Sequence, residues 1–335
     1  MFKALEVESN NKGYNLYPGE DIGTYITNYL QDLGIHKVVL RKQIVKEKYI
    51  RPYLAIEMQL NPKRLIEHSN NIKITKDKDI VKISNEFNKI VKSIDECLPE
   101  FYYWTLKRID YATYVITDYV KEYIQLFQRA DRPSNHFKEL YDIKSKRRKQ
   151  LEGSFYLYSR GTAINFYDKE FERRENQKKY NLPNDDIKNA KNILRIEIQC
   201  NKSKTDYMKS KLEFETKNLF YFLNLDISRD TILYYYKKTI GEGDYYTLNK
   251  AREIINNSKY SLRKKHILIQ VLELINTKRS IWKARNEFIK SNATFNSYLK
   301  DIRGLGINPV TIPRNKDIEF LENVISKIEK QMINN

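Results

Sequence analysis

The chain has 335 residues, of which 41% are hydrophobic and 31% charged, enough for about two domains that each bury a core. That composition excludes a disordered tail, no apolar run approaches the ~20 residues of a membrane span, and two cysteines, Cys97 and Cys200, exclude a disulfide framework or a four-cysteine zinc site. Lys and Arg number 61 against 43 Asp and Glu, an excess of +18 that either favours a polyanionic partner, most often nucleic acid, or reflects the Lys-, Asn-, Ile- and Tyr-rich bias of an AT-rich genome. The first residues, Met1-Phe2-Lys3-Ala4-Leu5-Glu6-Val7-Glu8, are charged at once and do not form a signal peptide. The expectation is a cytoplasmic protein with no membrane partner.

Residues 2–8 alternate apolar and polar and predict a strand, and 10–19 a loop. Ile22, Tyr25, Ile26, Tyr29, Leu30 and Leu33 are spaced as one helical face, which predicts a helix over 20–33. Strands follow at 36–46 and 52–60, ended by Asn61-Pro62, then a helix-rich section to Pro99. Residues 101–116 are aromatic and β-branched and predict a long strand. A helix is expected at 118–130, and strands at 153–159 and 162–168 around the turn Arg160-Gly161. A charged connection, 170–192, leads to a strand at 193–200 and a helix at 204–223. The last hundred residues read as helices: Leu268, Val271, Leu272 and Ile275 on one, 280–290 on the next, then Phe295, Tyr298, Leu299 and Ile302 on a third. Ser291-Asn292 suits its N-cap and Gly304 its C-cap.

Two segments are alike. Ile56-Glu57-Met58-Gln59-Leu60-Asn61 and Ile196-Glu197-Ile198-Gln199-Cys200-Asn201 both read as a strand followed by a helix, 140 residues apart. Either this is chance likeness of two amphipathic strands, or two related units stand in tandem. The expected fold is α+β: two related antiparallel sheet units with flanking helices (1–100 and 101–230) and a C-terminal helical, helix-turn-helix-like module (231–335).

The four histidines are scattered, with no His-x-His clamp, and no Gly-x-x-x-x-Gly-Lys loop is present. What remains are acids and tyrosines on strands. Arg108 and Asp110 share a strand face at i, i+2, as do Arg195 and Glu197. If those faces meet on one sheet, two carboxylates converge beside two arginines. Carboxylates suit Mg²⁺ or Mn²⁺, and a tyrosine oxygen is a covalent nucleophile for phosphorus. The same Arg-x-Asp and Arg-x-Glu pairs also suit salt-bridge ladders.

Arg108-Ile109-Asp110, then the strand pair ending Tyr167-Asp168-Lys169-x-x-Glu172, then Leu194-Arg195-Ile196-Glu197 resemble the core of rolling-circle replication initiators. The nearest likeness is to the plasmid replication-initiation-factor family and the related filamentous-phage gene II/X-type proteins. Thr294-Phe295-x-x-Tyr298-x-x-x-Ile302-x-x-x-Gly306-Ile307 resembles the C-terminal segment of the phage-type members. The likeness spans about residues 50 to 310. It implies a nickase specific for origin DNA, duplex and single-stranded, that stays joined through a tyrosine to the 5′ phosphate. It also implies a divalent metal (Mg²⁺ or Mn²⁺), a host helicase as partner, and often a homodimer.

Carried over by residue, the resemblance makes Asp110 and Glu197 metal acids, with Glu57 by the repeat either a third ligand or a relic on the non-catalytic half. Tyr167 becomes the first choice of nucleophile, or else packs in the sheet in phase with Asn165; Tyr158 and Tyr156 follow, and Lys169 either holds the scissile phosphate or lowers the tyrosine pKa by its charge. Arg108 and Arg195 would neutralise phosphate. Asp168 faces opposite Tyr167 on a regular strand. The absence of His-x-His sets the chain apart from the histidine-containing nickases. Candidate DNA contacts are Arg160, the cluster Lys144, Lys146, Arg147, Arg148 and Lys149, and Arg263, Lys264 and Lys265. Asn292, Thr294, Asn296, Ser297 and Lys300 are the polar positions of the third C-terminal helix, which either reads duplex DNA or packs in a bundle or dimer. The rival functions are a DNA-binding replication or repressor protein without enzymatic activity, and the relaxase of a conjugative element.

Overall fold

A computed structural model of the chain describes residues 17–19, 22–46, 50–67, 75–139, 141–142, 147–148, 152–180 and 187–333. The strand expected at 2–8 lies outside them. Contacts divide the chain into two units, residues 1–106 with 214–224, and residues 107–213 with 225–335.

In the first unit, β1 (Tyr17–Gly19), β2 (Ile22–Thr27), β3 (Ile35–Lys46) and β4 (Ile50–Leu60) form an antiparallel sheet in that order. The helix expected over 20–33 is therefore strand β2 and a 3₁₀ turn at Gln31–Leu33. Ile-Gly-Thr-Tyr-Ile-Thr is poor in helix formers, and pairing with β3, from Thr24 opposite Arg41 to Thr27 opposite Val38, overrides the helical spacing. Helix α1 (Pro62–Glu67) opens on a proline, whose missing N–H is harmless there. Helix α2 (Ile80–Ile94) buries Ile83, Phe87, Ile90 and Val91 against Val38, Leu65 and Phe101. The long strand expected at 101–116 is shortened. Phe101–Tyr103 is a 3₁₀ turn, and the strand β5 (Ile109–Ile116) belongs to the second unit. The buried Asn218 amide donates to the carbonyls of Phe101 (2.9 Å), Tyr102 (2.7 Å) and Trp104 (3.1 Å), which removes that segment from ladder pairing.

The second unit holds β5, helix α3 (Val120–Phe127), the short pair β6 (Tyr141–Asp142) and β7 (Arg147–Arg148), then β8 (Ser154–Tyr158) and β9 (Thr162–Asp168). Helix α4 (Lys169–Tyr180) follows, then β10 (Ile193–Cys200) and helix α5 (Lys202–Lys211). The sheet order is β5-β10-β9-β8, antiparallel throughout. The charged connection at 170–192 thus begins as a helix. Asp168 Oδ1 accepts the Phe171 N–H at 3.0 Å, and Glu170 and Arg174 pair one turn apart. The single helix expected at 204–223 is broken. The chain passes Glu213 at φ 53°, and a short helix α6 (Leu219–Phe222), capped by Asn218, follows in the first unit.

The C-terminal residues 225–335 fold with the second sheet instead of standing apart as a third module. They form α7 (Leu225–Thr239), β11 (Tyr245–Tyr246), α8 (Leu248–Asn256), α9 (Leu262–Lys278), α10 (Ile281–Glu287), α11 (Asn292–Gly304), β12 (Phe320–Leu321) and α12 (Ile325–Ile333). Helices α7 and α12 pack on β5, and Arg285 of α10 forms a two-pronged pair with Asp131. Leu268, Val271, Leu272 and Ile275 are buried as the spacing requires, and Ser291 accepts the Thr294 N–H at 3.2 Å. Gly304 is the last helical residue. The left-handed position falls two residues later, on Gly306 at φ 76°.

Candidate active site

Alternation along β10 makes two faces. Leu194, Ile196, Ile198 and Cys200 are fully buried, and burial pushes the Cys200 thiol up to about 12. Arg195, Glu197 and Gln199 take the other face. Residues directly opposite on neighbouring strands share a face, so the register lays out three rows. Gln199 lies opposite Asp110 and Ala163, and Ala163 opposite Tyr158. Glu197 lies opposite Ala112 and Asn165, and Asn165 opposite Tyr156. Arg195 lies opposite Tyr114 and Tyr167, and Tyr167 opposite Ser154. The condition set by the sequence, that the acidic faces meet on one sheet, is met within the second unit.

The side chains differ sharply in access. Tyr167 is only 9% exposed. The first turn of α4 lies by it, with Lys169 Nζ 5.4 Å from its ring centroid. Lys169 pairs with Glu172 at 2.8 Å, and Arg173 lies 3.7 Å from the same carboxylate oxygen. Burial pushes the Tyr167 phenol far up and Lys169 down. Asp168 faces away and caps α4. Tyr156 and Tyr158 are half-buried, their rings 6.3 Å apart. Burial raises the Tyr156 phenol, and the Arg108 guanidinium opposes that rise. Asn165, between Glu197 and Tyr156, has its buried Oδ1 without a hydrogen-bond partner.

The acids are not arranged for a divalent cation. Arg108 grips Asp110 with Nε to Oδ1 at 2.7 Å and NH2 to Oδ2 at 2.6 Å. Burial, reinforced by Asp110, raises the Glu197 carboxyl despite Arg195, whose Nε is 3.9 Å away. Arg108, Lys169, Arg173 and Arg195 set four cations among Asp110, Glu172 and Glu197. No group of three His, Cys, Asp or Glu side chains among the described residues is placed to hold a metal. As these side chains stand, the set fits an anion better than Mg²⁺ or Mn²⁺.

The remaining candidates scatter. Glu57 lies in the first unit, opposite Val39, with Ile26 on the next strand. Arg160 is exposed in the β8–β9 turn. Arg147 and Arg148 pair their backbones with Asp142 and Tyr141, and Lys144, Lys146 and Lys149 lie outside the described residues. On α11, Asn292, Asn296, Ser297 and Lys300 are exposed, Thr294 bonds Ser291, and Asn296 accepts from Arg285 at 3.0 Å. A four-residue turn, 288–291, joins α10 to α11, the spacing of a helix-turn-helix. Lys264 pairs with Asp301 and Lys265 donates to the Asn256 carbonyl, which leaves Arg263 the exposed cation of that cluster.

Arg173 lies outside the residues that the sequence singles out, because 170–192 reads as a charged connection. The i, i+4 pair Glu170 and Arg174 was the available sign of a helix. No helix among the described residues is long and apolar enough to cross a membrane. Comparisons with protein-family models, with curated proteins and with solved structures find no match.

Proposed function

We propose that the chain is a DNA strand transesterase of the rolling-circle type, acting on origin DNA of a plasmid or phage, with the polar face of the second sheet as its reaction surface. The observation that carries this reading is the register that puts Asp110, Glu197, Arg195, Tyr156 and Tyr158 on one face of four adjacent strands. A tyrosine oxygen attacks phosphorus, the bond from phosphorus to the 3′ oxygen breaks, and that oxygen takes up, through water, the proton that the tyrosine loses and leaves as a 3′ hydroxyl. Glu197, whose proton affinity burial raises, takes the tyrosine proton. Arg108 and Arg195 neutralise the phosphate. Tyr156 is the better nucleophile than Tyr167, since it is half-exposed and within the field of Arg108. Helices α10 and α11 are the duplex reader in this reading, and a host helicase would unwind the duplex from the nick.

The test is a denaturing gel after incubation with supercoiled plasmid carrying the protein's own gene and flanking DNA. Wild type gives a covalent protein–DNA band, and the yield is the same in EDTA as with Mg²⁺ or Mn²⁺. Tyr156→Phe lowers it by about 100-fold or more and Tyr167→Phe by less than about threefold. No band from wild type sinks the reading. A strict metal requirement would mean that Arg108 leaves Asp110 during the reaction. A second reading, a DNA-binding protein that cuts nothing, draws on the two-pronged Arg108–Asp110 pair, which is what a salt-bridge ladder looks like. It expects duplex binding with no covalent band under any condition.

A further inference from the structure

The first unit carries a surface that the reaction above does not use. Tyr102, Tyr103 and Phe220 are 60%, 78% and 40% exposed. Exposed rings of this size normally turn inward, yet their backbone is held firmly. Buried Asn218 donates to three carbonyls of the turn, and its Oδ1 accepts the Phe220 N–H at 2.7 Å. Asn88 Oδ1 accepts the Phe101 N–H at 2.7 Å, and Trp104 Nε1 donates to the Pro99 carbonyl at 2.8 Å. Tyr102 and Phe220 come from segments more than a hundred residues apart and stack with centroids 5.5 Å apart and planes 30° off parallel. The result is a pre-formed aromatic step facing outward.

Asn88 also lines a cleft of about 710 Å³ along α2, whose charged residues are Lys82, Lys89 and Lys92 against Glu86 and Glu100. Glu100 directly precedes the aromatic turn. Lys82, Lys89 and Lys92 follow one helical stripe. Lys92 is held by the carbonyls of Glu96 and Leu98. Lys82 is exposed, and Lys89 is held by an exposed i, i+3 pair with Glu86 that a phosphate readily displaces. A row of cations leading to stacked, exposed rings is the chemistry that recognises unpaired nucleotides, with phosphates on lysine and bases on aromatic faces.

We infer that this face of the first unit, Tyr102, Tyr103 and Phe220 with the α2 lysines, is a binding site for a single-stranded nucleic acid. The site stands whether or not the second unit cleaves DNA. The stripe of three lysines, one more than the acids of the cleft, favours a polyanion, and the rings favour one with unstacked bases.

The experiment is fluorescence anisotropy with the full chain and three labelled probes, a dT 20-mer, an rU 20-mer and a 20-base-pair duplex. The Tyr102→Ala, Phe220→Ala double variant weakens binding of the single strands by about tenfold or more. Duplex binding stays unchanged, and Tyr102→Phe stays within about twofold of wild type for every probe, since it keeps the ring. Lys82→Gln with Lys89→Gln flattens the salt dependence of dT binding. Tighter binding of dT identifies DNA as the strand and tighter binding of rU identifies RNA, and either carries the site. Unchanged single-strand affinity in the double variant, an equal loss on duplex, or a loss in Tyr102→Phe equal to that in the alanine variant overturns it. Photocrosslinking of wild type to a 5-iodouracil oligonucleotide covers the case in which the alanine variant misfolds. Adducts on Tyr102, Tyr103 or Phe220 support the site, and adducts confined to other peptides overturn it.

Discussion

Strands β4 and β10 share the pattern Leu-x-Ile-Glu-x-Gln and end the same way. The Asn61 N–H donates to the Gly34 carbonyl and the Asn201 N–H to the Gly161 carbonyl, both at 2.9 Å, and a helix starts at the next residue in each case. In each unit the glycine opens the neighbouring strand of the same antiparallel pair. The surroundings then part. Among the described residues β4 ends its sheet, and Glu57 has Val39 and then Ile26 across from it. β10 is central. Its second neighbour, β5, brings Asp110 with Arg108 beside it, and the long β9–β10 connection brings Lys169, Glu172 and Arg173 on α4. One strand motif thus stands beside Val39 in one place and inside a charged, half-buried cluster in the other. The chemistry comes from what is added around the strand, and the strand itself supplies only the frame.

The sharpest way to break this comparison is to make the same change in both strands. Glu197→Gln removes the proton acceptor and should lower covalent adduct yield by about 100-fold. Glu57→Gln should leave it within about twofold, because Glu57 lies in the first unit and the reacting face in the second. Equal losses in the denaturing gel would mean that both units contribute to one reaction, and equal indifference would remove both acids from it.

A smaller effect separates the two glycines. Gly34 has φ 88°, and a Cβ there would lie 2.6 Å from the Leu65 backbone nitrogen, an atom that cannot rotate away. Gly34→Ala should destabilise the first unit by about 2–3 kcal/mol. At Gly161 the nearest atom is the Ser203 hydroxyl at 3.0 Å, which can turn aside. Gly161→Ala should cost about 1 kcal/mol or less. The two tryptophans fall one in each unit, Trp104 and Trp282. Urea melts of single-tryptophan variants therefore read each unit separately. Similar shifts for both glycines would show that the shared hydrogen bond, and not the left-handed backbone, sets the requirement.

Local alternation was enough to place β8, β9 and β10 and to put Tyr156 and Tyr158 on one face, because a strand's period is a property of its own residues. It was also enough to put Arg108 beside Asp110. It failed where a distant partner decides. Residues 22–27 have helical spacing, but the ladder with β3 claims their backbone. Residues 101–104 look like strand, but the Asn218 amide, more than a hundred positions away, holds their carbonyls. The burial of Tyr167 follows from α4, which a charge-rich sequence with little amphipathic pattern does not announce. The site was legible as a set of residue types on a common face. Which of them are open, and which are gripped by arginine, depends on packing that a linear reading does not carry.

The smallest expected effect is on stability and pH, and it separates the cluster's structural cost from its use. Burial raises the Glu197 carboxyl above its ordinary value even though Arg195 opposes the rise. A carboxyl raised in the folded state binds its proton more tightly there than in the unfolded chain. Stability is therefore greatest below the ordinary carboxylate pKa of about 4.3 and falls as pH climbs through the folded-state value. Glutamine cannot ionise and escapes that fall. Glu197→Gln should melt about 1–3 °C above wild type at pH 7, with the gain shrinking toward zero as pH approaches about 4. A variant less stable than wild type at pH 7 would mean that the Arg195 pairing outweighs the burial of the charge. Glu197 would then be held as a salt-bridge partner, and the sheet face would lose its proton acceptor.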